Sequence, residues 1–165
     1  MTVAWRAGNV PLPEAHLLGI TALVGLHRLW PRSIPGSRVA GGAMIAAAAV
    51  LIGRSVAAAG QVDLERPGRL LTAGPYAVSR NPMYVAWALL HLGVGVGLRS
   101  AWMLVTLPAA ASRVHWEITR EERSLEAAFG AEFAAYRAAV PRYLRFPAVP
   151  WVDARPATCG RGPHG

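Results

Sequence analysis

Two groups of residues in this chain are of types that do chemistry. The first is Tyr76, Arg80 and Tyr84, two phenols and a guanidinium within nine residues. The second is the adjacent pair Glu121 and Glu122. In the helical register set by Ile118, Leu125 and Phe129, Glu122 falls inside an apolar stripe and Glu121 at its edge. A carboxylate on a buried face is expensive without a partner. One reading is a structural ion pair with Arg80, Arg120 or Arg123. The other is an acid that faces a ligand and holds an ammonium- or sulfonium-bearing molecule. Charged groups facing inward near a membrane favour the functional reading.

These residues need elements to position them, and the composition says of what kind. Hydrophobic residues make up 53% of the 165-residue chain and charged residues only 16%, against about 25% charged in soluble domains. The length fits one domain, with a core over residues 1–145 and a Pro/Gly/Arg-rich tail at 146–165 that reads as disordered. All 17 basic residues are arginine, for a net charge of +8. They are scattered between apolar runs, which suits flanks of membrane spans and argues against a nucleic-acid partner. Cys159 stands alone in the tail and implies no disulfide.

Four apolar segments are expected, at residues 14–30, 39–60, 83–98 and 101–116. The second is long enough to cross a hydrocarbon core of about 30 Å; the others are near or below the lower limit. Residues 98–100 are the sole link between the last two, which predicts a tight helical hairpin. The second carries Gly41, Gly42, Ala46, Ala49, Gly53, Ala57 and Gly60, small residues that speak to helix packing. Residues 117–140 form an amphipathic cytoplasmic helix, because Ile118, Leu125, Phe129, Phe133, Tyr136 and Val140 fall within about 90° of one another. Gly130 marks a break in it. The fold class is therefore all-α: a polytopic membrane protein with about four transmembrane helices. Arginine distribution places the polar loop 61–82 and the C-terminal region in the cytoplasm.

Within that loop, Pro82 suits the first turn of a helix and Asn81 its cap. Gly93, Gly95 and Gly97 follow no strand and lack a P-loop lysine, so they are not a phosphate loop. His27, His91 and His115 are isolated and have no metal-ligand spacing, so no metal is expected.

The run Gly74-Pro75-Tyr76, Arg80-Asn81-Pro82-Met83-Tyr84, Glu121-Glu122, Leu125, Phe129-Gly130, Tyr136 and Val140-Pro141 resembles the isoprenylcysteine carboxyl methyltransferase and phospholipid methyltransferase superfamily. The match covers residues 61–142. The resemblance implies an integral membrane methyltransferase that uses S-adenosylmethionine on a lipophilic acceptor: a carboxylate, thiol or amine on a lipid or small molecule. Carried over by position, its cofactor contacts are Gln61, Gly68, Arg69, Leu70, Leu71, Tyr76, Asn81, Pro82, Met83, Tyr84 and Glu121. Glu121 would receive the cofactor's ammonium end. Arg80 and Glu122 are the catalytic candidates, with Glu122 supporting the loop. Glu117 occupies the position of a substrate-contacting Arg in the prenylcysteine enzymes, which argues against a carboxylate substrate of that kind. The family's common His is Asn81 here, which cannot carry charge, and a frequent Gly is Ala86. Two other readings compete: a membrane reductase with a nicotinamide cofactor, disfavoured because the loop lacks an added basic cluster, and a non-catalytic membrane protein of the same fold.

Overall fold

The computed structural model describes residues 14–59 and 70–144. The order is α1 (Glu14–Leu29), α2 (Arg38–Ala59), a short 3-10 turn (Gly74–Ala77), α3 (Pro82–Leu98), α4 (Met103–Phe129) and α5 (Ala131–Ala139). No strand occurs among the described residues; Ser33 and Ser100 form an isolated antiparallel bridge. The tail at 146–165 lies outside the described residues.

The first three helices match their apolar segments to within a residue or two. The fourth differs. Residues 103–116 and 117–129 belong to one 27-residue helix, α4. The change from apolar to charged residues at Glu117 brings no Gly, Pro or capping residue, so nothing there interrupts the backbone hydrogen bonds. The interruption comes at Gly130, as expected. Its φ of 49° and ψ of −117° are open to glycine and strained for other residues.

α2 and α3 pack closely. A Cβ on Gly41 would stand 2.5 Å from the Gly97 Cα and 2.7 Å from the Gly93 carbonyl oxygen. The glycine run of α3 is thus a packing surface. In α2 Gly41 alone of the glycines serves this contact, since Gly42 and Gly53 face open space. α1 packs on α4 and α3.

Three of these helices share a buried polar chain. Thr106 Oγ1 donates to the Trp102 carbonyl at 3.1 Å, so its oxygen accepts from His91 Nε2 at 2.9 Å. That leaves His91 Nδ1 as the acceptor for His16 Nδ1, 3.4 Å away. His91 is therefore not isolated. Its partner lies 75 residues earlier, and buried imidazoles in an apolar bundle must find such partners. His115 also has one, the Tyr143 hydroxyl at 2.8 Å.

Among the described residues one helix, α2, is long and apolar enough to cross a membrane, and α3 is apolar but shorter. Only 17% of the apolar window of α2 is buried, which is unlike the core helix of a soluble domain. Leu18, Leu29, Val50, Leu104 and Val105 also project outward, as lipid-facing side chains do. The links α1–α2 and α3–α4 meet at one end: Ile34 N–H donates to the Arg99 carbonyl at 2.9 Å and Ala101 N–H to the Arg32 carbonyl at 2.7 Å. Trp102 Nε1 donates to the Trp30 carbonyl there, at 2.8 Å. Arg99 closes the hairpin with φ 56°.

Candidate functional site

The polar residues gather at the opposite end, where the 3-10 turn, the start of α3, the charged half of α4 and the segment after α5 converge. Tyr76 sits in the 3-10 turn begun by Gly74 and Pro75. Pro82 opens α3 without losing a hydrogen bond. Asn81 precedes it but does not cap with its side chain. Its Nδ2 instead donates to the Arg142 carbonyl at 3.1 Å. The Asn81 main-chain carbonyl accepts from Val85 N–H, 3.1 Å away.

That bond is one of a set tying residues 76–81 to the chain end. Ser79 Oγ donates to the Arg142 carbonyl at 3.2 Å and accepts from Asn81 N–H at 3.1 Å. Arg80 N–H reaches the Pro141 carbonyl at 2.9 Å, and Arg80 Nη1 the Arg137 carbonyl at 3.2 Å. Tyr136 Oη donates to the Tyr76 carbonyl at 2.7 Å. Residues 136–142 thus act as a strap across the polar turn.

Glu122 anchors the strap to α4. It is 8% exposed, as its place in the apolar stripe requires. Arg80 Nη2 lies 3.0 Å from its Oε1, and Arg142 grips it through Nε at 3.1 Å and Nη2 at 2.6 Å. The charge-assisted bond to Glu122, its largest influence, raises the Arg142 pKa. Arg80 was an expected partner; Arg120 and Arg123 were expected alternatives and do not serve. They are one and two residues from Glu122 on the same helix, and such neighbours point to different faces. Both are exposed. Arg142 was missed. It stands just past the Val140-Pro141 pair that marks the strap, and its position after a proline gave no helical register from which to place it.

Glu121 points elsewhere. It retains solvent access and makes no ion pair among the described residues. It is nevertheless crowded by protein, and that crowding, followed by the charge of Glu122, raises its pKa above 4.5. Burial and then Glu121 push the Tyr76 hydroxyl up to about 12. The Tyr84 hydroxyl lies within electrostatic reach of Glu121, Glu117 and Tyr76. Glu117 is partly exposed and pairs with Arg113 at 3.3 Å. Tyr76, Tyr84, Glu117 and Glu121 therefore form one acidic, aromatic cluster beside the Arg80–Glu122–Arg142 clamp.

Leu70, Asn81, Pro82 and Met83 are buried at the same end, and Leu71 is half-buried. Gln61, Gly68 and Arg69 lie outside the described residues. No group of three or more His, Cys, Asp or Glu side chains that could hold a metal occurs among the described residues.

The chain matches the family model described as phospholipid methyltransferase over residues 37–132, more than half its length. The matched stretch runs from the start of α2 to the start of α5; the strap lies beyond it. No curated protein matches the chain.

Proposed function

The chain belongs to the phospholipid methyltransferase family, and from that premise we propose that it is a membrane-embedded methyltransferase that uses S-adenosylmethionine on a lipophilic acceptor. The observation that carries this reading is the solvent-reachable carboxylate of Glu121, which makes no ion pair among the described residues and lies within electrostatic reach of the Tyr76 and Tyr84 phenols. Such a site suits a small molecule that is cationic at one end and has an aromatic ring at the other. The cofactor would supply an already activated sulfonium methyl.

The protein's part is positioning. Glu121 accepts hydrogen bonds from the cofactor's ammonium. Tyr76 and Tyr84 pack about it, and Leu70, Leu71, Pro82 and Met83 exclude water beneath. The resemblance assigns Gln61, Gly68 and Arg69 to the cofactor as well; they lie outside the described residues. Arg80 and Glu122 are paired with each other, and Glu122 with Arg142 as well; their clamp holds the turn that carries Tyr76 and Asn81. Asn81, with its amide on the Arg142 carbonyl, serves the cofactor through its side-chain oxygen. Glu117 faces the acceptor, and its negative charge disfavours an anionic carboxylate and favours an amine. The four helices cross the membrane, with the site on the cytoplasmic side.

Thermal unfolding of the detergent-solubilised protein tests the reading. S-adenosylhomocysteine should raise the Tm, and reduced nicotinamide cofactor should not. A shift with the nicotinamide alone would move the chain to the reductase reading, and no shift with either would leave a non-catalytic membrane protein.

A further inference from the structure

The face of α4 that turns away from the site and from the protein has a sequence of its own. Val105 is 62% exposed and Trp116 is 71% exposed; Arg113, Arg120 and Arg123 are exposed as well. At 100° per residue these five side chains fall within about 80° of one another. The buried residues Val114, Ile118 and Glu122 occupy the other side of the helix. Along the axis the order is Val105, Arg113, Trp116, Arg120 and Arg123, so an apolar start leads to a basic end with one arginine ahead of the tryptophan. Arg113 is already paired with Glu117, whereas Arg120 and Arg123 make no ion pair among the described residues.

That order of side chains is the profile of a membrane boundary. An apolar side chain suits hydrocarbon, a tryptophan the interface, and arginines the headgroup layer. A helix face designed for nucleic acid would not continue into Val105 without a break in exposure. We propose that this stripe docks on phospholipid headgroups that carry net negative charge, with Trp116 at the interfacial level and Arg120 and Arg123 on the phosphates. The site is separate from the cofactor cluster, since Glu117 and Glu121 lie on the flank of α4 between the stripe and the core. It stands whether or not the chain transfers methyl groups. Its consequence is that the charged half of α4 lies at a set height against an anionic leaflet, so the lipid composition of that leaflet controls the presentation of the site.

The test is lipid-dependent stabilisation of the full chain in neutral detergent. Short-chain phosphatidylglycerol and phosphatidylcholine with the same acyl chains are titrated against the wild type and an Arg120→Gln/Arg123→Gln double variant, with Tm as the readout. Phosphatidylglycerol should raise the wild-type Tm at lower concentration than phosphatidylcholine, and salt should weaken the preference. Each arginine near an anionic surface contributes about fivefold in affinity, so the double variant should need roughly 25-fold more phosphatidylglycerol. Its Tm in phosphatidylcholine should equal that of the wild type, because both substituted side chains are exposed. Equal response of the wild type to the two lipids would overturn the proposal, as would an unchanged phosphatidylglycerol midpoint in the double variant. The same stabilisation by inorganic phosphate would reduce the stripe to a free-anion site, and stabilisation by an oligonucleotide in its place would assign it to nucleic acid; either result would overturn the lipid assignment.

Discussion

The guanidinium of Arg142 holds the carboxylate of Glu122 through two nitrogens, at 3.1 and 2.6 Å. The two residues stand 20 positions apart, and this contact fixes the strap against α4 together with the Arg137–Glu126 pair at 3.3 Å and the His115–Tyr143 bond at 2.8 Å. Arg80 shares the same carboxylate, and the clamp holds two cations on one anion. Its members are unequal. Removing the anion leaves two guanidinium groups uncompensated, and Arg80 is only 8% exposed. Glu122→Gln should therefore destabilise the protein by about 3 kcal/mol. Arg142→Gln should cost less, about 1 kcal/mol, because its side chain is 34% exposed and Glu122 keeps Arg80. Chemical denaturation in detergent gives the order, and equal losses would refute the asymmetry.

Glu121 gives a prediction in pH. Its folded pKa is raised, so the folded protein holds the extra proton between the unfolded and folded titrations. The resulting stability is fully present below the unfolded value and is lost as pH rises through the folded pKa. A cationic ligand needs the ionised form. Affinity for S-adenosylhomocysteine, whose ammonium remains, should therefore rise with pH across that window, and one proton should leave on binding. In Glu121→Gln both the pH dependence and most of the affinity should vanish. Calorimetry in two buffers of different ionisation enthalpy reads the proton count directly.

Tyr136 contributes one hydroxyl, donated to the Tyr76 carbonyl at 2.7 Å. Tyr136→Phe keeps the ring and leaves that carbonyl without this donor, at a cost of about 1 kcal/mol. Because Tyr76 borders the cluster, cofactor affinity should weaken while the bundle retains its helicity by circular dichroism. An unaltered affinity would show that the strap does not set the position of Tyr76.

Adjacent glycines in α2 should behave in opposite ways. Gly41→Ala drives a Cβ into the backbone of α3, and backbone cannot move aside as a side chain can. A loss of about 1–3 kcal/mol is expected. Gly42→Ala meets nothing within 4 Å and should be neutral or slightly stabilising through its helix propensity. Comparing the two Tm values separates close packing from composition.

Much of this organisation is readable in the residues. Apolar runs bound α1, α2 and α3, and the periodicity from Ile118 onward buries Glu122, because helical register is a local property. Gly130 could be placed because an unfavourable backbone angle leaves a residue type as its trace. The boundary at Glu117 could not, since polarity changed there while the backbone did not. Pairings across long separations were also hidden. Nothing near His91 points to His16, and nothing near Asn81 shows that its amide would meet Arg142 and not its own helix. Such choices depend on which segments the fold brings together. The Gly41–Gly97 approach falls between these cases: small residues signal that some contact will be close, yet only packing selects which glycine makes it.

The paired links at the far end of the molecule have a mechanical consequence. Main-chain hydrogen bonds between residues 32–34 and 99–101, reinforced by the Trp102–Trp30 bond, rivet the two hairpins where their turns meet. Main-chain amides and carbonyls carry this joint, so it persists through side-chain substitution, and the polar end can be varied without unfastening the two turns.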